Sequence, residues 1–215
     1  MQVFLLVTAG WIFSVCLHEF GHALVAYKGG DHTVREKGYL TLNPLRYTHP
    51  IYSLLMPLVF LFLGGIGLPG GAVYINETLL RSNGWRTAVS LAGPAMNVLL
   101  VQVLCLPFWF GFVDGNFAPA LAFLCWLQIS AVIFNLLPIP PLDGFRALSP
   151  WLPVDLRNRM LASSNIVLWV LFIVMWNVKP VNDAFWNLVN GIAGSLGIDP
   201  HLAQEGLRQF RFWEH

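Results

Sequence analysis

The chain has 215 residues, 56% of them hydrophobic and 11% charged, with a formal net charge of +1. Soluble domains carry about 25% charged residues, so this composition excludes a water-covered surface, and its hydrophobicity excludes a disordered chain. The near-zero net charge excludes a basic face for nucleic acid. The three cysteines (Cys16, Cys105, Cys125) are an odd set in apolar runs, read as packing residues and not as a disulfide framework.

A membrane-spanning helix needs about 20 mostly apolar residues. Residues 2–27 meet this. They lack the basic leader and cleavage site of a signal peptide and are read as a retained spanning helix. Residues 33–36 and 39–42 are short β-prone runs about Lys37-Gly38, the pattern of a small hairpin. Residues 51–69 are long enough to span but carry Pro57, Gly64, Gly65, Gly67 and Pro69, which predicts a re-entrant segment. Residues 72–75 read as a further strand. Residues 86–110 and 117–137 predict two more spans, 160–178 a fourth, and 184–198 a short fifth. Trp85, Trp109, Trp151 and Trp176 fall near predicted helix ends, where indole favours the membrane interface. The expected fold is an all-α polytopic membrane protein. A three-helix core with a re-entrant segment and a small β-hairpin fills residues 1–150, and one or two C-terminal membrane helices fill 151–215.

The first helix contains His18-Glu19-Phe20-Gly21-His22, an H-E-x-x-H pattern. On a helix, histidines at i and i+4 share one face and can reach one metal ion, while the intervening Glu can act on water. His18, Glu19 and His22 are the only histidines or charged residues within 2–27. Ionisable groups at membrane depth are expensive and mark functional sites. A catalytic zinc site takes three protein ligands. Asp143 is the candidate third, at the end of the run Asn135-Leu-Leu-Pro-Ile-Pro-Pro-Leu-Asp143-Gly144. Its prolines cannot continue a helix, so residues 138–142 are expected to be extended.

These residues resemble the site-2 protease family of intramembrane zinc metalloproteases. The likeness rests on His18–His22, the Gly93-Pro94-Ala-Met-Asn97 segment and the run from Asn135 to Gly144. The stretch from Gly30-Asp31 to Asn43-Pro44 adds a likeness to compact bacterial members, although His49 stands where they tend to carry an acid. No PDZ-like insertion is present. The resemblance implies one zinc ion held by His18, His22 and Asp143, with Glu19 as general base. It implies Asn135 as a polar group toward the substrate carbonyl, Asn97 as a further auxiliary, and a single-pass membrane protein as substrate.

Charge placement orients this reading. With 51–69 re-entrant, Lys28, Arg35, Lys37, Arg46, Arg81, Arg86, Arg146, Arg157 and Arg159 fall on the side reached by the first helix, nine of the twelve basic residues. Arg208 and Arg211 join them if 184–198 spans. The positive-inside rule makes that side cytoplasmic, and the resemblance to compact bacterial members implies a bacterial inner membrane. The metal would lie about 24 Å along the first helix, within the cytoplasmic half of the bilayer. Two other functions fit the same residues: a divalent-metal transit site, and a protease-like scaffold that binds membrane helices without cleaving them. Metal flux in proteoliposomes against cleavage of a membrane peptide separates them.

Overall fold

The computed structural model describes residues 1–46, 73–113, 115 and 117–214. Three of its helices are long and apolar enough to cross a membrane: α1 (Gln2–Gly29), α3 (Asn83–Trp109) and α4 (Ala118–Asn135). The single turn α2 (Thr33–Glu36) follows α1. After α4 come α5 (Asp143–Leu148), α6 (Val154–Ala162), α7 (Ser164–Asn177), α8 (Lys179–Ser195) and α9 (Pro200–Phe210). The protein is an all-α polytopic membrane protein.

The register of the three long helices follows from their contacts. His22 meets Val89 while His18 meets Asn97, so α1 and α3 run antiparallel. Ser14 bonds Gln128 at 2.5 Å, and a side chain on Gly10 would meet Leu124, so α1 and α4 run parallel. The C-terminal ends of α1 and α4 therefore face the same way. Arg81 donates its N–H to the Gly29 carbonyl (3.1 Å), which sets the end of α1 beside the start of α3. The central α4 is the most enclosed of the three; Ala120, Ala122 and Ala131 on its faces permit close approach.

The hairpin expected at residues 33–42 is absent. The Asp31 carboxylate accepts from both the N–H and the hydroxyl of Thr33, and so starts the helical turn α2. Gly38, at φ 74°, ends that turn, with the Gly38 and Tyr39 amides bonded back to the Arg35 and Val34 carbonyls. The Lys37-Gly38 pair is thus a helix stop, not a hairpin turn. The described part of the expected strand at 72–75, Val73–Ile75, forms no sheet ladder, and the re-entrant prediction for 51–69 lies outside the described residues. Residues 138–142 do not run extended either. Bonds from the Leu137, Ile139 and Leu142 amides to the Phe134, Leu137 and Ile139 carbonyls coil them into successive turns.

The fourth expected span, 160–178, divides. Val154–Ala162 and Ser164–Asn177 meet at 61°. The α9 helix was not anticipated. It lies along α4, where a side chain on Gly206 would run into the Pro119 carbonyl, and Phe210 stacks on Phe4 at 5.3 Å. Arg208 and Arg211 therefore sit at the opposite end of α1 from His22, and the arrangement that added them to the nine basic residues does not hold.

Candidate metal centre

His18 and His22 project from one face of α1, one turn apart, and Asp143 opens α5. Their ligand atoms converge. The two Nε2 atoms lie 3.0 Å apart, and Asp143 Oδ2 lies 3.2 Å from His18 Nε2 and 3.4 Å from His22 Nε2. Among the described residues this is the one cluster of three such groups. Sequence separation between the histidines and Asp143 is bridged by the parallel packing of α1 and α4, whose ends deliver both to one level.

The hydrogen bonds behind the cluster fix what faces into it. His22 Nδ1 donates to the Val89 carbonyl at 2.6 Å, and His18 Nδ1 donates to Asn97 Oδ1 at 3.2 Å. With protons on Nδ1, both Nε2 lone pairs point inward, the tautomer that metal-binding histidines adopt. The buried Asp143 Oδ2 has no hydrogen-bond partner. Two lone pairs and a carboxylate oxygen crowded together repel one another unless a cation lies among them. The donor set of two imidazoles and one carboxylate is that of a catalytic zinc site. The residues present fit the metal.

Gly93 is where α3 admits the cluster. A Cβ there would collide with His22 Nε2 and stand 2.6 Å from the His18 ring. Gly144 plays a similar part beside Asp143, where a Cβ would strike the Leu136 carbonyl. Glu19 is buried on the adjacent face of α1, its Oε2 accepting from the Val73 N–H at 3.2 Å. Glu19 and Asn135 line the same cavity of about 800 Å³ as His18, His22 and Asp143. Asn97 stands apart from that cavity, behind the His18 ring. The Val89 carbonyl and the Val73 amide have no counterpart in the sequence reading, because backbone groups leave no residue signature. Gly93 was visible only as part of its Gly-Pro segment. His32 is exposed at the residue before α2, with no capping hydrogen bond from its side chain, and His49 lies outside the described residues.

Comparison with known proteins gives relatives over nearly the whole chain. The chain is 45% identical over 214 residues to "Putative zinc metalloprotease Rip2" of Mycolicibacterium smegmatis, covering 98% of this chain and 82% of that one. It is 43% identical over 213 residues to the protein of the same name from Mycobacterium tuberculosis, with the same coverage. The chain belongs to the site-2 protease family. A third member, "Putative zinc metalloprotease YwhC" of Bacillus subtilis, is 32% identical over 188 residues, 83% of each chain. No family model and no solved structure matches. Membership makes the chain a zinc metalloprotease of the membrane and disfavours both the transit site and the inactive scaffold.

Proposed function

We propose that the chain hydrolyses peptide bonds within or beside the membrane segments of single-pass proteins, using one zinc ion held by His18, His22 and Asp143. The convergence of three ligand atoms at the ends of two membrane helices carries this reading. When bound, zinc supplies Lewis acidity, lowering the pKa of water toward about 7 and polarising a carbonyl. Glu19 accepts the proton of the attacking water and returns it to the departing amine. The Val73 N–H holds the Glu19 carboxylate in place for that exchange. Asn135 offers an amide donor to the oxyanion that develops on the scissile carbonyl. Asn97 orients His18 and fixes its tautomer. Unwound substrate lies along residues 73–75, which flank Glu19, by strand addition.

Two asparagine variants should separate these roles. Asn97→Ala should weaken zinc binding by about 10–100-fold, read by chelator competition. Asn135→Ala should keep zinc and lower kcat by about 10²–10³-fold.

The cytoplasmic end of the molecule is the one that holds the metal cluster. Nine of the twelve lysines and arginines cluster there by sequence, an asymmetry that supports this orientation. In whole cells, a membrane-impermeant maleimide should label Gly111→Cys and not Arg81→Cys, in a background without the native cysteines. The reverse pattern would invert the orientation. The functional reading itself is tested by comparing membrane proteomes of cells expressing the wild type or Glu19→Gln. Single-pass proteins should lose a soluble fragment only with the wild type, and identical proteomes would count against proteolysis.

A further inference from the structure

The cavity that reaches the metal cluster carries a charge pattern that hydrolysis does not use. Arg86, Arg146 and Arg157 line it, and outside the cluster and Glu19 the sole carboxylate on its wall, among the described residues, is Glu77. Two of the guanidinium groups are anchored through Nε on backbone carbonyls: Arg86 on Glu77 and Arg146 on Pro141, each at 3.2 Å. Arg86 also donates to Asn83 Oδ1. All these acceptors are neutral. The ion pairs among the described residues are Lys179–Asp183, Arg208–Glu205 and the His–Asp143 contacts, so none of the three arginines faces a carboxylate partner there. A guanidinium held by its Nε keeps its terminal N–H groups oriented and its charge uncompensated, which suits capture of a carboxylate.

Charge bias between membrane sides predicts arginines at this end of the molecule. It does not predict that these three share one cavity with the metal cluster, while Arg35, Lys37, Arg81 and Arg159 lie outside it. The α6–α7 elbow adds a mixed wall, with Leu161, Leu168, Trp169 and Phe172 as its apolar part and Asn158 and Asn165 as neutral polar groups. A ligand matched to this cavity is therefore part apolar and part anionic.

Distance along the helices gives the register. Arg146 follows Asp143 by one turn on α5, and Arg86 precedes Val89, which holds His22, by one turn on α3. A turn rises about 5.4 Å, and an extended peptide advances about 3.3 Å per residue. With the reach of a guanidinium added, a carboxylate bound there belongs to a residue roughly two to four positions from the bond at the metal.

We infer that this cavity selects polypeptides bearing Asp or Glu roughly two to four residues from the cleaved bond, with adjacent apolar residues against Leu161, Leu168, Trp169 and Phe172. The inference rests on the proteolytic reading above and names the substrate class for it. The test uses the full-length Glu19→Gln protein, zinc-loaded, in phosphatidylcholine vesicles. The probes are labelled single-span polypeptides that differ only in Glu, Gln or Lys, stepped through the residues flanking the membrane segment.

At one or more positions Glu should bind about tenfold more tightly than Lys, with Gln between. Active wild-type protein should show the same order in kcat/KM, mostly through KM. Arg157→Glu and Arg146→Glu should each turn the preference toward Lys; retained zinc content verifies that each variant is folded. Equal affinity for the three probes at every position would overturn the inference, as would a preference unchanged in both reversed variants. Loss of the preference on adding phosphatidylglycerol would overturn it in favour of a lipid headgroup as occupant. Selective binding of acidic probes that the wild type does not cleave would support the selectivity and refute proteolysis instead.

Discussion

Replacing Glu19 by Gln should lower peptide hydrolysis by about 10²–10⁴-fold and leave zinc content unchanged. The side chain is buried beside the cluster without belonging to it, and it lines the cavity that reaches the cluster. Glutamine has nearly the same shape, and its amide oxygen can still accept the Val73 N–H that Glu19 now holds. What the substitution removes is a group able to take up a proton. Cleavage of a single-span polypeptide, measured beside zinc by atomic emission, separates the outcomes. Retained hydrolysis would refute the base assignment, and loss of zinc with loss of activity would recast Glu19 as a ligand.

Gly93→Ala should remove both zinc and activity although it adds a single methyl group far from Asp143 in sequence. That methyl would fall on His22 Nε2 and against the His18 ring. The rings cannot retreat without breaking their Nδ1 bonds to the Val89 carbonyl and to Asn97. Interiors packed at this density do not absorb such an insertion without displacing side chains. The expected result is a folded protein, judged by circular dichroism in detergent, with substoichiometric zinc and cleavage lowered at least as far as in Glu19→Gln. Gly84→Ala is the control. Its methyl would meet Ser82 Oγ at 3.6 Å, ordinary contact distance, and zinc and activity should be unchanged. Full zinc binding by Gly93→Ala would mean that α3 can move away from α1.

The sequence was most informative where chemistry and environment conflict. Three polar groups at helical spacing inside an apolar segment are expensive to keep, and the structure brings His18 and His22 together with Asp143. The three long helices were legible for the same reason: membrane segments advertise themselves by composition, although their ends moved by a few residues.

Local propensity failed where tertiary contacts decide. Residues 33–36 contain Thr and Val, yet the Asp31 carboxylate and the burial of Val34 make them helical. Strand preference is weak against such context. The α9 helix had readable signals that a search for membrane spans passes over. Asp199 precedes Pro200 as an N-cap, and Leu202, Gly206 and Phe210 recur at helical spacing. Its amphipathic pattern marks a helix lying on another, not one that crosses lipid.

The hydrogen bond from the Arg81 amide to the Gly29 carbonyl has a topological meaning. It closes a loop whose two ends leave and rejoin the helical core at one point. With its two ends tied there, a change in the length of the excursion between them should leave α3 and everything after it in the same orientation relative to α1. The core can therefore accept a shorter excursion, or a whole extra domain, without turning its metal ligands toward the other compartment.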